Sequence, residues 1–329
     1  MSSLYAKNKI ARFFVIFAAD KTKMQMRTHK LIAAVMAAAI SAPVLGQTVQ
    51  GSADDGFTIK AGNVTMTVSA KEGGKIMSYK YDDKEMLSQL RMQNQYGSTF
   101  WTSPQKEWNW PPVTEFDRAA YNDESHLCER TFGEKSQSLF LTSQIGRKLP
   151  FQILKQYAPD PKGKFIRVSY TILNKGEETR KVAPWEISRV VADEEGLIFF
   201  DAPVEGITPA NLIPFRGEAG ASWYNFETGA QNRKINSDGK GWLAYAANGL
   251  LMIKKFDDLT PSQPAPDEAE IQVYVNQGKT YIELESQGEY KTLAPGEGFT
   301  WVVDWYLIPL KDKAEPSKKL LDLVRKTIK

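Results

Sequence analysis

The chain has 329 residues, 42% of them hydrophobic and 25% charged, a composition that excludes a mainly disordered or fibrous protein. Its formal charge of +3 belongs to the N-terminus: residues 1–47 hold seven Lys/Arg against one Asp, leaving 35 basic and 38 acidic residues and a net charge of −3 beyond them. Without a basic stripe, nothing in that remainder attracts nucleic acid, and the single cysteine, Cys128, excludes an internal disulfide and any thiolate zinc or iron–sulfur centre.

Residues 1–23 precede better starts at Met24 and Met26 and read as an upstream extension. Residues 24–46 read as a signal peptide, with Arg27, His29 and Lys30 as the basic region, residues 31–45 as the apolar region, and Val44-Leu45-Gly46 as the small-residue cleavage signal before Gln47. The apolar run is shorter than the roughly 20 residues of a membrane span, and no later stretch approaches that length. No cysteine follows it that would carry a lipid anchor. The expected product is an exported protein, periplasmic or secreted, whose residues 47–329 form one domain without a repeat or a composition break.

From residue 57 onward, period-two alternation predicts strands. Val64, Met66 and Val68 alternate with Thr65, Thr67 and Ser69, while Ile166, Val168, Tyr170 and Ile172 alternate with Arg167, Ser169 and Thr171. Further strands are expected over 138–143, 151–157, 197–200, 270–276, 280–285 and 300–307, and Gly73-Gly74 fits a turn between strands. Asn248-Gly249 between two apolar runs predicts a two-residue hairpin, because both turn positions require positive φ. Helical spacing is confined to Leu320, Leu321, Val324 and Ile328. The fold class is all-β, a two-sheet sandwich or super-sandwich with a short C-terminal helix.

Three segments bear residues suited to chemistry. Residues 97–112 place three of the eight tryptophans, Trp101, Trp108 and Trp110, within ten positions. They read either as a Pro-stiffened loop whose indoles cap the core or as a sugar platform, in which an indole face meets the C–H face of a pyranose while Gln105, Glu107 and Asn109 bind hydroxyls. Trp110, preceding Pro111, is the indole expected in the core. In residues 183–189, alternation puts Pro184, Glu186 and Ser188 on one strand face and Trp185, Ile187 and Arg189 on the other. Glu186 is then either an acid of raised pKa or half of an ion pair. In residues 281–290, Tyr281, Glu283 and Glu285 share a face, which reads either as a solvated sheet face or, with Glu285 at the strand end before Gln287-Gly288, as the place where a sandwich presents a site. His126 lacks the spacing of a metal motif, so a structural histidine is expected, with no metal and no cofactor.

In their order, the stretches Gly73-Gly74-Lys75-Ile76-Met77-Ser78-Tyr79, Gly97-Ser98-Thr99-Phe100-Trp101, Trp108-Asn109-Trp110-Pro111-Pro112, Pro184-Trp185-Glu186-Ile187 and Glu283-Leu284-Glu285-Ser286-Gln287 resemble the galactose mutarotase-like, or aldose 1-epimerase-like, superfamily. Within it they resemble most the DUF4380 family, over most of residues 57–308. The resemblance implies a mutarotase-like β-super-sandwich and a mono- or oligosaccharide as ligand. In aldose 1-epimerases a glutamate in a Leu-Glu-x-Gln context is the base that takes the anomeric hydroxyl proton, and Leu284-Glu285-Ser286-Gln287 matches it. The family's acid is a histidine whose position, counted from Asn174-Lys175-Gly176, falls at or beside Glu186. Glu285 and Glu186 are therefore the expected catalytic pair, facing each other across one concavity, with Trp101, Trp108, Gln105, Arg189, Glu283 and Gln287 as sugar-binding residues. A glycan-binding module without turnover is the alternative.

Overall fold

A computed structural model describes residues 48–91, 95–123, 138–278 and 280–329. The upstream extension, the signal peptide, His126 and Cys128 lie outside the described residues.

Two antiparallel sheets pack face to face. The first runs, in spatial order, through Thr48–Ser52, Gly56–Ala61, Val64–Ser69, Lys75–Tyr81, Ser98–Ser103, Arg180–Val191, Tyr281–Gln287, Ile271–Val275 and Arg233–Ser237. The second runs through Arg216–Glu218, Ala221–Asn225, Leu197–Phe200, Trp242–Ala247, Leu250–Lys255, Gly298–Pro309, Ile166–Asn174, Phe151–Pro159, Leu139–Thr142 and Asn122–Asp123. One continuous core fills the space between them, including Ile59, Met66, Tyr79, Phe100, Val190, Leu284 and Trp305.

The predicted elements map closely onto this architecture. Val64–Ser69 alternates buried and half-buried residues along its length, as a strand with one face on the core must. Asn248 (φ 54°) and Gly249 (φ 70°) close the hairpin between Trp242–Ala247 and Leu250–Lys255. The helix spans Lys318–Thr327, capped by the Ser317 hydroxyl accepting from the Leu320 amide, and lays Leu320, Leu321 and Val324 on the outer face of the second sheet. None of the described helices is long and apolar enough to cross a membrane.

One expectation needs correction. The Trp-rich segment is only partly a loop: Ser98–Ser103 is a fully buried strand in the middle of the first sheet, paired with Arg180–Val191. The chain leaves the sheet only at Pro104, where a short 3₁₀ turn over Gln105–Glu107 carries it across the sheet end.

Candidate functional site

Register decides which side chains meet. Trp101 pairs with Trp185, and Trp185 with Gln287; Thr99 pairs with Ile187, Ile187 with Glu285, and Glu285 with Gln272; Arg189 pairs with Glu283, Glu283 with Tyr274, and Tyr274 with Lys234. Directly opposed residues in an antiparallel sheet point to the same side. These rows therefore stand on the outer face of the first sheet. The rows between them face the other sheet and include Phe100 with Glu186 and Ser188 with Leu284.

A cavity of about 420 Å³ opens on that outer face. Its lining includes Trp101, Trp185, Arg189, Lys234, Tyr274, Tyr281, Glu283 and Glu285 from the sheet. Lys75, Gln95, Gln105, Trp110, Asp117 and Arg118 come from the flanking strand start and loops. Glycines bring those flanks close. A Cβ on Gly73 (φ 69°) would lie 2.3 Å from the Asp117 carbonyl oxygen, and one on Gly97 (φ 64°) 2.3 Å from that of Ile76. Only glycine permits these approaches, which draw Lys75 toward Asp117 and residues 95–97 toward the Lys75 strand.

Glu285 sits at the floor, 1% exposed. Its Oε2 accepts from the Trp185 indole N–H (2.8 Å) and from Lys234 Nζ (2.9 Å), whose ammonium also lies 4.4 Å from the Trp185 ring centroid. Its Oε1 is buried and, among the described residues, accepts from no group. Glu283, two residues away on the same face, pairs with Arg189 Nε at 2.9 Å. Burial pushes the Glu283 carboxyl up to about 7 and the Glu285 charge adds to the rise, while the Arg189 guanidinium opposes it. Asp117 is raised by burial, but the Lys75 ammonium and a hydrogen bond from the Thr99 hydroxyl bring it below its ordinary value.

Trp101 is the wall of the cavity. Its ring lies edge-to-face against Trp108 (5.7 Å), Trp110 (6.1 Å) and Trp185 (5.3 Å), and the Arg189 guanidinium lies 5.9 Å from its centroid.

Of the residues proposed from sequence, the fold brings Glu285, Glu283, Arg189, Trp101 and Gln105 to this cavity. It does not bring Glu186, Trp108 or Gln287. Glu186 is wholly buried on the opposite face of its strand: Lys254 Nζ lies 2.7 Å from Oε1, and the Tyr170 hydroxyl and Trp305 indole N–H donate to Oε2. The expected pairing of Glu186 with Glu285 across one concavity is thus corrected, because period two places them on opposite sides of one sheet. Trp108, 1% exposed, donates its indole N–H to the Thr102 carbonyl and backs Trp101 and Trp185. Gln287, fully buried, donates to Glu268 (3.1 Å), which also accepts from Gln272 and from the Gln105 amide. It supports the loop that carries Gln105 and does not line the cavity. Trp110, expected in the core, is 67% exposed at the mouth.

Sequence reasoning missed Lys75, Asp117, Arg118, Lys234 and Tyr274. A lysine directly after Gly73-Gly74, at the start of the strand Lys75–Tyr81, was a usable signal; Lys234 and Tyr274 are brought in by strand order, and Asp117 and Arg118 by the packing of their helix end on Gly73. Among the described residues, no group of three His, Cys, Asp or Glu side chains is placed to hold a metal ion.

Two large antiparallel sheets with a single C-terminal helix and an outer-face cavity define a galactose mutarotase-like β-super-sandwich. The chain is similar to a candidate aldose 1-epimerase from Escherichia coli K12 (14% identity over 80% of this chain and 100% of that one, TM-score 0.54). It is also similar to a galactose mutarotase-like protein from Lactobacillus casei ATCC 334 (12% identity, 77% and 100% of the chains, TM-score 0.52). A third solved structure, a galactose mutarotase related enzyme from Lactobacillus acidophilus, has 10% identity over 79% and 100% of the chains and a TM-score of 0.51. At such identities the likeness establishes the fold. No protein-family model and no curated protein matches the chain.

Proposed function

We propose that this is an exported carbohydrate-binding protein of the DUF4380 branch, holding a mono- or oligosaccharide in the outer-face cavity. The observation that carries the reading is Glu285. A buried carboxylate with one oxygen fixed by an indole N–H and an ammonium, and the other left without a partner at the floor of an aromatic-walled cavity, is built to accept a hydroxyl from a ligand. Trp101 and Trp110 supply aromatic surface for the C–H face of a pyranose, and Gln105 an amide for its hydroxyls. Export rests on the leader over 24–46.

A second reading, aldose 1-epimerase-like turnover, is favoured by the same oxygen, which would take the anomeric proton. With Glu186 locked between the sheets, the carboxyl suited to donate a proton to the ring oxygen becomes Glu283, which burial lets hold a proton close to neutrality. A glycan-binding module uses the same cavity without that proton transfer.

Titration of tryptophan fluorescence with a panel of mono- and oligosaccharides tests the binding reading. Saturable quenching that weakens at least about tenfold in Glu285→Gln is expected, the loss of one charge-assisted hydrogen bond. A folded protein that saturates with no sugar of the panel would overturn it. Polarimetry of freshly dissolved aldoses separates the two modes: equilibration above the buffer rate that vanishes in Glu285→Gln marks an epimerase, and binding without such a rate marks a module.

A further inference from the structure

The charges of the cavity are unequally matched. It holds three carboxylates and four cations, and each carboxylate has a cation of its own. Glu285 is paired with Lys234 at 2.9 Å, Glu283 with Arg189 at 2.9 Å, and Asp117 with Arg118 at 3.3 Å. The fourth cation is Lys75. It is 2% exposed, lines the cavity, and among the described residues has no carboxylate within ion-pair distance and no hydrogen-bond acceptor. Its Nζ lies 4.5 Å from the centroid of the Tyr96 ring.

Burying an ammonium without a partner is costly. Burial lowers the Lys75 pKa, and Arg189 and Arg118 lower it further; of the two carboxylates that oppose this without pairing with it, Asp117 is engaged by Thr99 and Arg118, and Glu72 accepts from the Tyr96 hydroxyl. Nor can Lys75 readily turn away. Behind it Lys155 Nζ donates to the carbonyls of Gly73 (2.6 Å) and Gly74 (3.3 Å), and the Tyr157 hydroxyl donates to Gly74 (2.6 Å), which pins the turn that launches the Lys75 strand. The result is a positive end held in place in a cavity whose other charged side chains stand in pairs.

We propose that this end is a subsite for the carboxylate of an acidic sugar, so that the ligand of the cavity is a hexuronic acid or an oligosaccharide ending in one. The proposal rests on the sugar-binding reading of the cavity and names the sugar class. A carboxylate brings one negative charge to the one unmatched positive charge and gives Lys75 Nζ the acceptor it lacks, while the pyranose lies over Trp101 with a hydroxyl on Glu285. A phosphate ester, carrying close to two charges at neutral pH, would reverse the imbalance.

The test compares each hexose with its own uronate, galactose with galacturonate and glucose with glucuronate, by calorimetric titration at pH 7. The corresponding hexose 6-phosphates form a third arm. The wild-type protein should bind at least one uronate about tenfold or more tightly than its hexose. Lys75→Met should lose that preference and keep its affinity for the hexose, whereas Lys75→Arg, which retains the cation, should keep the preference. Thermal melting of each variant confirms folding, and if Lys75→Met does not fold, Lys75→Gln replaces it. Equal binding of hexose and uronate by the wild type, survival of the preference without the cation, or tighter binding of the 6-phosphates would each overturn the proposal while leaving sugar binding intact. Absence of binding by hexose and uronate alike would instead strike the sugar-binding reading itself, and the proposal with it.

Discussion

The two faces of the Arg180–Val191 and Tyr281–Gln287 strand pair carry the same residue types in opposite conditions. On the inner face, Glu186 is enclosed with Lys254, Tyr170 and Trp305, and Lys254 also donates to Ser188 Oγ (3.0 Å) and to the Leu284 carbonyl (3.2 Å). On the outer face, Glu285 keeps an oxygen without a partner, and the Lys234 that pairs with it is 34% exposed. A buried carboxylate whose two oxygens are each held by an ion pair or a hydrogen bond fixes a structure; one with an oxygen left unheld at a cavity is available to a ligand. The role of a glutamate here is therefore set by the parity of its position, and adjacent residues of one strand differ as much as residues in different domains.

The comparison breaks most visibly on the inner face. Glu186→Ala leaves the Lys254 ammonium buried without a counter-charge and should cost about 3–5 kcal/mol of stability in denaturant unfolding. Replacing both members at once, Glu186→Leu with Lys254→Met, should recover most of that loss, since a buried pair adds little net stability over an apolar packing of similar volume. A single substitution costing under about 1 kcal/mol would show that the inner pair is not the closed unit its contacts suggest. Trp108→Ala belongs with this group, at about 3–5 kcal/mol, because the ring is buried behind the wall.

Two buried groups outside this strand pair also make a pH signature. Burial brings Lys155 down to about 7, below its value in the unfolded chain. Between about pH 7 and 10 the unfolded state therefore binds more protons than the folded one, and this residue's contribution to stability rises with pH, by up to about 1.4 kcal/mol per unit. Glu270 runs the other way. Burial raises it to about 7 although the amides of Gly241 and Leu259 donate to it, so its contribution falls as pH rises from about 4.5 to 7. Unfolding free energies of the wild type minus Lys155→Met should slope upward above pH 7, and those of the wild type minus Glu270→Gln downward below it. A flat difference in either window rejects the corresponding assignment.

Much of this was legible before the fold. Alternation placed Trp185 and Arg189 on the face opposite Glu186, and grouped Glu283 with Glu285, as the register has them. The error lay in carrying a histidine's position onto Glu186 by counting along the chain, when the strand's own parity already sent that side chain away from Arg189. Lys234, Tyr274 and Asp117 were not legible, because no local pattern states that Arg233–Ser237 lies two strands from Tyr281–Gln287 or that Gly73 packs on Asp117. Trp110 misled for a related reason. The sequence records its neighbours Asn109 and Pro111, but whether the chain turns inward or outward after leaving the sheet at Pro104 depends on what lies beyond the sheet end.

On the outer face, Glu285→Gln should cost less than about 1 kcal/mol of stability despite its burial. The amide oxygen can still accept from Trp185, and Lys234, being part exposed, can turn its ammonium to water. Its effect should fall instead on sugar affinity. A loss of 3 kcal/mol or more in unfolding experiments would mean that Glu285 holds the sheet together and would erase the distinction from Glu186.

The smallest effect on stability should come from Trp110, two positions after Trp108 and opposite to it in environment. Its ring is 67% exposed and meets the fold edge-on at Trp101, 6.1 Å between centroids, so Trp110→Ala should change unfolding free energy by no more than about 0.5 kcal/mol. An exposed indole at the mouth of a cavity has area to give to a ligand that it does not give to the core. A stacked aromatic contact is worth about 0.5–1.5 kcal/mol, so sugar affinity should fall by about two- to tenfold in the same variant, read by calorimetry because one of the reporting indoles has been removed. Phenylalanine at 110 should restore most of the affinity, since the face and not the indole N–H makes the contact. Unchanged affinity in Trp110→Ala would confine the platform to Trp101 and move the binding surface inward, toward Glu285.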